Sequence, residues 1–515
     1  MADLLALLPE RLAWHVALSA AALLLGLLIA APLGVLAARN ATLRWPVLAL
    51  AGLVQTIPSL ALLALFYPLL LLLSGLSQAL LGQGFSALGF LPSLLALTLY
   101  SMLPILRNTV AGLTGVDPAV VEAARGVGMT DRQRLWRVEL PLALPVIMAG
   151  IRTAAVWTIG AATLSTPVGQ SSLGDYIFSG LQTENWPMVL TGCAASAVLA
   201  LTVDQLLGLV ERGAERRDRR LWIGGLAALA VGLVAALAPL AAGALSTQPA
   251  AYQIGAKNFS EQYILAELMA QRLEVRGGRV TRKINLGSAV AYRALAAGEI
   301  DAYVDYSGTL WANVLQRTDN PGRQAVLDGL RTELKRRDGV ELLAPLGFEN
   351  AYALAMKRDK ARALGIVSLD DLARRAPDLV MGGDLEFFSR PEWASVVRTY
   401  GLDFKAKRQF QPTFMYRALG SGEADVISAF SSDGRIAADD LVVLTDPRAA
   451  LPPYDAVLLI APGRVGDRRL RTALSGLQGA ISVEAMRAAN YSVDRDTGKA
   501  APAEAARTLA DSLTR

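Results

Sequence analysis

The chain has 515 residues, enough for two or three domains, and 53% of them are hydrophobic, with a formal net charge of +5. Much of the positive charge lies in short connections between apolar runs, which membrane topology explains better than a nucleic-acid footprint does. A single Cys excludes an intramolecular disulfide, and a single His is poor material for a metal site. We therefore expect this chain to bind no metal and no cofactor. From the position of its positive charge, we expect it to bind no nucleic acid.

Six apolar stretches in the first half of the chain are long enough to cross a bilayer, which takes about 20 residues. The predicted spans are 13–38, 46–74, 92–115, 145–166, 188–210 and 221–243. The first run is too long for a signal peptide and is expected to be retained, with His15 as an interfacial residue. We therefore predict an all-α membrane domain at 1–220, followed by the sixth span and a linker at 221–249.

The charges of the connections predict the direction of these spans, because Lys and Arg near span ends stay in the cytoplasm. The first, third and fifth connections carry Arg residues, whereas those near 75–91 and 167–187 contain no Lys or Arg. This alternation predicts an extracytoplasmic N-terminus, three cytoplasmic connections and an extracytoplasmic segment after residue 245.

Proline interrupts several predicted spans, at Pro58, Pro104 and Pro167. Small polar side chains cluster near these breaks: Gln55, Thr56, Ser59, Ser101 and Thr163. Broken helices with polar residues at mid-membrane depth are typical of a solute path. The same residues are equally consistent with small polar side chains that hold helices together.

The third connection contains a charged segment, "EAARGVGMTDRQRLWRVELP", between two apolar spans. Asp117 as N-cap and Pro118 at the first helical position predict a helix over 118–127, and two Gly residues end it. Thr130 then predicts the start of a second short helix. Two short helices at an angle would form a knob that protrudes into the cytoplasm.

This segment, continued as "LALPVIMAGI", resembles the EAA loop of permease subunits in bacterial ABC importers. The resemblance implies that the loop, 117–144, docks in a cleft of a separate ATPase subunit and that the matching residues are Glu122, Ala123, Ala124 and Gly128. The chain has no G-x-x-x-x-G-K-[ST] phosphate loop, so ATP and Mg²⁺ are expected to be used by a cytoplasmic ATPase dimer. Because six spans are half of what the family uses, a homodimer is also implied.

The part of the chain after residue 250 has the mixed composition of a soluble domain and contains a near-repeat. "YRALAAGEIDAYVDYSG" starts at Tyr292, and "YRALGSGEADVISAFSS" starts at Tyr416. Each copy predicts a helix end, a Gly turn and a strand, in the order of α/β units. We therefore predict two similar lobes with a ligand between them, and apolar strands at 350–356 and 454–461 that cross between the lobes.

Residues 250–515 resemble the periplasmic-type binding proteins for quaternary ammonium osmolytes, namely glycine betaine, choline, carnitine and proline betaine. The matching stretches are "GAKNFSEQ", "GEIDAYVDYSGTLW", "FENAYALAM", "GGDLEFFSRPEW" and "YRALGSGEADVISAFSSDGRI". The resemblance implies an α/β, two-lobed clamp of the type II periplasmic-binding-protein class. Together with the permease, it implies an ATP-driven importer in a bacterial cell membrane, with the clamp outside the cytoplasm.

The family pattern places a ligand cage on particular residues. A trimethylammonium head has no N–H to donate and is held best by aromatic faces. By resemblance, the cage consists of Tyr306, Tyr352, Phe430 and Tyr454. A ligand carboxylate would be held by Lys257, Thr309 and Arg390, of which Arg can bind bidentately. The family commonly has Tyr in place of Phe430, which keeps the ring face but lacks the hydroxyl.

Two alternatives remain open from the sequence. Ergothioneine, a trimethylammonium betaine of a thiol-bearing histidine, is a second candidate ligand, because some fused proteins of this architecture resemble its importers. A membrane-anchored solute sensor is the alternative from a different class, but it would need a cytoplasmic output domain, and the cytoplasmic connections are short. An enzyme is not expected, because the exported half shows no set of nucleophile, base and orienting residue.

Overall fold

The computed structural model describes residues 7–82, 84–183, 185–246, 252–317, 319–410, 412–495 and 497–513. Its internal contacts divide the chain into two units: Met1–Gly180 with Trp186–Gln248, and Leu181–Asn185 with Pro249–Arg515. The first unit is helical, and the second is an α/β unit with two sheets.

The helices of the first half are long and mostly apolar. They are α1 (Leu8–Arg39), α2 (Ala41–Thr56), α3 (Ser59–Leu81), α4 (Phe90–Thr114), α5 (Pro118–Gly126), α6 (Asp131–Arg134), α7 (Leu140–Ala162), α8 (Gly174–Gln182), α9 (Trp186–Glu215) and α10 (Arg219–Ser246). A π-helical turn, Leu135–Glu139, joins α6 to α7, and a 3-10 turn, Thr163–Val168, follows α7. Six segments within the described residues are long and apolar enough to cross a membrane, as predicted.

The second predicted span, 46–74, is wrong in its bounds. α2 ends at Thr56 and α3 begins at Ser59, and the apolar spanning stretch is Ala61–Leu81. Pro58 has no N–H and disfavours a helical conformation in the residue before it, and Ile57 is accordingly extended, with φ −77° and ψ 125°. The predicted interruption at Pro58 is thus a boundary between two helices.

The helices α1, α4 and α7 pack against one another, α9 packs on α7, and α10 packs on both α1 and α9. One core cluster consists of Ala30, Ala51, Leu103, Ile105, Leu106 and Ala154. The side chain of His15 is fully buried among the helices, and its Nε2 lies 3.0 Å from the carbonyl oxygen of Ile159; its position at the membrane interface stays a prediction. The backbone of α7 thus provides a hydrogen-bond partner that the sequence of α1 does not reveal.

The second unit contains two five-stranded sheets, and each forms the centre of one lobe. The first consists of β1 (Tyr252–Lys257), β2 (Val280–Leu286), β3 (Ala302–Tyr306), β4 (Glu341–Glu349) and β10 (Asp455–Ile460). The second consists of β5 (Tyr352–Lys357), β6 (Val380–Gly383), β7 (Ala406–Gln409), β8 (Val426–Phe430) and β9 (Leu441–Val443). Their orders are β2-β1-β3-β10-β4 and β7-β6-β8-β5-β9.

The two sheets share one topology, as the near-repeat predicts. β1 is parallel to β2 and β3, and β6 is parallel to β7 and β8. β10 and β5 each run antiparallel to both of their neighbours. Since β5 follows β4 and β10 follows β9 along the chain, these strands enter each sheet from the other lobe. The predicted crossing strands are confirmed.

Helices cover both sheets. They are α11 (Ser260–Val275), α12 (Ser288–Ala296), α13 (Arg323–Asp338), α14 (Arg358–Leu364), α15 (Leu369–Arg375), α16 (Leu385–Ser389), α17 (Pro391–Tyr400), α18 (Pro412–Ser421), α19 (Arg435–Ala438), α20 (Arg468–Ser475), α21 (Val483–Asp494) and α22 (Pro502–Ser512). Shorter helical turns are Ser307–Val314, Ala376–Asp378 and Pro462–Arg464. The last three helices pack on α11, which assigns the C-terminal region to the first lobe.

Candidate functional site

A cavity of about 230 Å³ lies between the two lobes of the second unit. Several of its residues lie at or just after the ends of parallel strands, where open α/β sheets usually bind ligands. All seven residues that the sequence predicts for the ligand line this cavity: Lys257, Tyr306, Thr309, Tyr352, Arg390, Phe430 and Tyr454. Residues nearly 200 positions apart in sequence are thus brought to one cleft.

Tyr352 is the centre of an aromatic cluster in the cleft. Its ring centroid lies 5.0 Å from that of Phe430 and 5.6 Å from that of Tyr454, the latter in an edge-to-face arrangement. The fourth predicted ring, Tyr306, instead stacks on Phe259, which also lines the cavity, at 6.1 Å. Tyr306 and Phe430 occupy equivalent places, since each is the last residue of the central strand in its sheet.

The guanidinium of Arg390 lies beside this cluster, with Cζ 5.3 Å from the ring centroid of Tyr352. Nη2 forms an ion pair with Glu386, and Nη1 is 3.7 Å from the carboxylate of Glu392, which also accepts a hydrogen bond from the hydroxyl of Tyr454. Among the described residues, Nε and Nη1 have no hydrogen-bond partner. Two N–H groups in the wall of the cleft are therefore available to an acceptor.

The ammonium of Lys257 already has an acidic partner. Its ammonium forms a buried ion pair with Asp305, and that carboxylate also accepts hydrogen bonds from the hydroxyl of Tyr303 at 2.5 Å and the N–H of Tyr306 at 2.7 Å. Nζ lies 5.4 Å from the ring centroid of Tyr306. The role of Lys257 and Thr309 toward a ligand carboxylate stays a prediction.

Glu261, in the first turn of α11, is a buried carboxyl in the cleft that sequence reasoning missed. It accepts hydrogen bonds from the hydroxyl of Tyr306 at 2.5 Å, from Nδ2 of Asn350 at 3.0 Å and from Nδ2 of Asn490 at 2.9 Å. Burial raises the pKa of Glu261, although the hydrogen bonds from Tyr306 and the two amides act in the opposite direction. Its only signal in the sequence is an acidic residue soon after the first strand.

Further ionisable side chains line the same cavity. Arg435 forms an ion pair with Asp433 at 3.0 Å, and Asp494 accepts a hydrogen bond from the hydroxyl of Ser260. Burial raises the pKa of Asp494 to about 7, partly opposed by the charge of Arg435.

The charges that line the cavity are unbalanced. Three basic side chains, Lys257, Arg390 and Arg435, face five acidic ones: Glu261, Asp384, Glu386, Asp433 and Asp494. Each of the three cations is paired with an acidic side chain, so the lining presents no unpaired positive charge that would repel a cationic ligand. Within the described part of the chain, no group of three or more His, Cys, Asp or Glu side chains is placed to hold a metal ion.

In the first unit, the charged segment between α4 and α7 forms the two short helices that the sequence predicts. The carboxylate of Asp117 accepts from the N–H of Ala119 at 2.8 Å and caps α5, and Thr130 and Gln133 form a capping box at α6. Gly128, between the helices, has φ +79°, which glycine adopts without strain. Of the residues matching the importer motif, Ala124 is buried, whereas Glu122, Ala123 and Gly128 are exposed.

Ion pairs that the sequence did not predict attach this segment to the end of α1. Glu139 accepts from Arg39 at 3.0 Å and from Arg134 at 2.7 Å, and Arg134 also pairs with Asp131 at 2.9 Å. The contact of Arg39 with Glu139 joins residues 100 positions apart. These ion pairs fix the second short helix relative to the first span.

Comparisons with known proteins cover both units. Residues 250–511 match the substrate binding domain of the ABC-type glycine betaine transport system, and residues 30–216 match the binding-protein-dependent transport system inner membrane component. The ergothioneine transport permease/ergothioneine binding protein EgtU of Helicobacter pylori (strain G27) is 28% identical over 478 residues, which are 90% of this chain and 83% of that protein. A choline transport system permease protein, OpuBB of Bacillus subtilis (strain 168), is 41% identical over 198 residues, 38% of this chain and 84% of that protein.

A solved structure of a glycine betaine/carnitine/choline ABC transporter protein is 28% identical, with a TM-score of 0.46. The alignment covers 50% of this chain and 97% of that one.

Proposed function

The chain belongs to the binding-protein-dependent importer permeases and carries a substrate-binding domain of the ABC-type glycine betaine transport family, and on this premise we propose that it imports quaternary ammonium solutes. The observation that carries the proposal is the cleft of the second unit, where aromatic rings and an excess of acidic groups line one cavity. A permanently charged trimethylammonium head suits both features, because it cannot donate hydrogen bonds and is attracted by ring faces and carboxylates.

In this proposal the two ends of the solute are held by different groups. The rings of Tyr306, Tyr352, Phe430 and Tyr454 hold the cationic head, each good contact contributing about 0.5–2 kcal/mol. Arg390 binds a carboxylate at the other end through Nε and Nη1, the two groups without a partner among the described residues. Lys257 and Thr309 complete this polar end.

The energy for transport comes from a partner in this proposal. A separate cytoplasmic ATPase dimer, which uses ATP and Mg²⁺, docks on the segment that contains Glu122, Ala123, Ala124 and Gly128. The exposure of three of these four residues supports docking there. Two copies of this chain form the membrane pathway, and the arginine-rich first, third and fifth connections support a cytoplasmic position for this segment and an exported second unit.

Ergothioneine is the second candidate solute, and one observation in the cleft favours it. The amide groups of Asn350 and Asn490 both donate to Glu261, so their Oδ1 atoms point elsewhere, and these atoms have no hydrogen-bond partner among the described residues. The ring N–H groups of ergothioneine match these acceptors, whereas glycine betaine has no donor for them.

Titration calorimetry of the full chain in nanodiscs with glycine betaine, choline and ergothioneine tests the proposal. We expect at least one of the three to bind. Tyr352→Ala should weaken binding by about tenfold or more, whereas Tyr352→Phe, which keeps the ring, should stay within about twofold. Phe414→Ala, an exposed ring outside the cleft, is the matched control. Absence of heat from all three solutes would contradict the proposal.

Uptake of the labelled solute separates import from sensing. Vesicles that contain the chain and its ATPase should accumulate solute in an ATP-dependent manner, and vesicles without the ATPase should not. Binding without accumulation under both conditions would favour a membrane-anchored sensor.

A further inference from the structure

A second cavity, of about 380 Å³, lies in the first unit against one face of α7. Its lining consists of Ala149, Arg152, Thr153, Val156 and Trp157 from α7, together with Asp204 from α9. The spacing of the α7 residues is that of a single helical face. Both helices lie in segments that are apolar and long enough to span a membrane.

Three residues on one face of α9, Asp204, Gly208 and Glu211, surround the guanidinium of Arg152, and we call them the seat of Arg152. Its Nε and Nη2 donate to the two oxygens of Asp204 at 3.0 and 2.9 Å, and its Nη1 donates to Glu211 at 2.5 Å. Gly208 lies between these acids on the same face, and a Cβ at that position would be 3.3 Å from Cζ of Arg152. All three nitrogens of the guanidinium are therefore engaged by α9.

Arg152 carries one positive formal charge, and Asp204 and Glu211 of its seat carry two negative ones. A net charge is costly in the low dielectric of a membrane span, and ionisable residues there usually face a cavity or a transport path. The side chains of Arg152 and Asp204 retain 31% and 21% of their exposure, and both line the cavity. Asp204, rather than Glu211, thus brings negative charge to a space that a cation can enter.

Trp157 supplies an aromatic surface to the same cavity. Its side chain is 55% exposed and lies five residues after Arg152. Tryptophan is the ring with the strongest attraction for cations, and in membrane proteins it is typical of the headgroup region rather than of the interior of a span. An Arg and an exposed Thr on this face of α7, together with the Asp of α9, are likewise unsuited to contact with lipid.

We propose that this cavity is a transit site for the quaternary ammonium head of the solute within the membrane. The ring of Trp157 and the carboxylate of Asp204 attract the head group, while the ion pairs of Arg152 with Asp204 and Glu211 prevent that cation from repelling it. The same attractions act in the cleft of the second unit. This cavity has fewer aromatic rings than the cleft and should therefore hold the head group more weakly. This inference rests on the proposed function, since it concerns the same solute after its release from the cleft.

The test combines uptake and binding by the full chain. Cells that contain the chain and its ATPase import labelled choline or glycine betaine, and the same variants in nanodiscs report affinity at the cleft. We expect Trp157→Leu to lower the maximal uptake rate by roughly 3- to 30-fold and Trp157→Phe to recover part of it, with the affinity of the cleft unchanged. Asp204→Asn should also lower uptake. Trp45→Leu, which removes an exposed Trp from α2, is the matched control and should import normally.

Wild-type uptake by both Trp157→Leu and Asp204→Asn would overturn the transit site and leave the proposed function intact. Equal losses in Trp157→Leu and Trp157→Phe would also overturn it, because the ring would then have no role. Failure of the wild-type chain to bind or import either solute would instead refute the proposed function.

Discussion

At the residue scale, the cations in the cleft are accompanied by acids. Lys257 is paired with Asp305, and Arg390 lies between Glu386 and Glu392. A buried cation without a partner would cost several kcal/mol, so the fold supplies a carboxylate to each. Affinity for a ligand carboxylate then depends on which N–H groups lack a hydrogen-bond partner, and in Arg390 these are Nε and Nη1 among the described contacts.

Asp494 gives a pH prediction at this scale. Its pKa of about 7 is raised above that of an unfolded Asp, so the folded state retains a proton that the unfolded state has lost between about pH 4 and 7. The protonated carboxyl of Asp494 therefore stabilises the folded state at low pH, and this stabilisation is lost as the pH rises through 7. Thermal unfolding at pH 4–8 should therefore show Asp494→Asn gaining stability relative to the wild type as pH rises, by up to about 4 kcal/mol.

A stability difference between Asp494→Asn and the wild type that does not change with pH would contradict this assignment. Asp433→Asn is an unsuitable control because Asp433 is paired with Arg435. Asp439→Asn, at a half-buried position outside the cleft, serves instead.

At the element scale, the segment between α4 and α7 combines local and distant determinants. Caps at Asp117 and Thr130 define its two helices, whereas ion pairs from Glu139 to Arg39 and Arg134 fix it to α1. Such pairs are weak when exposed, but a connected set that includes a buried Arg holds a preferred geometry. A docked partner would therefore act on a segment that is attached to the spans.

The exposed carboxylate of Glu122 should be required for coupling to the ATPase. Glu122→Arg reverses the charge on the proposed docking surface, so we expect ATP-dependent uptake to fall by at least tenfold while solute affinity in the cleft stays the same. Glu215→Arg, an exposed change in a different arginine-rich connection, is the control. Normal uptake by Glu122→Arg would show that the docking assignment is wrong.

Close packing of α4 and α7 depends on the absence of a side chain at Gly150. A Cβ there would lie 2.5 Å from Cβ of Asn108 and 2.7 Å from the carbonyl oxygen of Pro104. Gly150→Ala should cost about 1–3 kcal/mol and lower the unfolding temperature in detergent. Gly160→Ala on the same helix, where no atom lies within 4 Å, should leave it nearly unchanged. Equal effects of the two substitutions would contradict this packing.

At the scale of the whole molecule, the permease and the receptor are one polypeptide. α10 ends at Ser246 and β1 begins at Tyr252, and the end of the linker predicted within 221–249 falls in residues 247–251, which lie outside the described residues. A short tether holds a receptor at roughly millimolar effective concentration near its target. Capture and delivery then need no diffusional encounter between separate proteins.

The proposed topology predicts which residues reagents reach from outside the cell. In a Cys193→Ser background, a single cysteine at Val275→Cys, on the second unit, should react with an impermeant maleimide on intact cells. A single cysteine at Val127→Cys, between the two short helices, should react only after permeabilisation. Both original side chains are strongly exposed, so access depends on the side of the membrane. Labelling of both positions from one side would exclude an exported receptor.

The sequence predicted those residues of the candidate site that lie in family motifs, and all seven of them line the cleft. It did not predict Glu261, Phe259 or the seat of Arg152. These depend on contacts between residues that are far apart in the chain, such as Glu261 with Asn490, and no local pattern records them.

The sequence by itself determined the number of apolar spans, the caps of the short helices and the two-lobed repeat, because apolar length, capping residues and turn residues act on near neighbours. Only the tertiary structure decided which cations in the cleft are already paired and that Arg152 is held between two acids of another helix. The physical reason is that buried charges and close helix contacts are satisfied by whichever residues the packing brings together, and sequence distance places no limit on that choice.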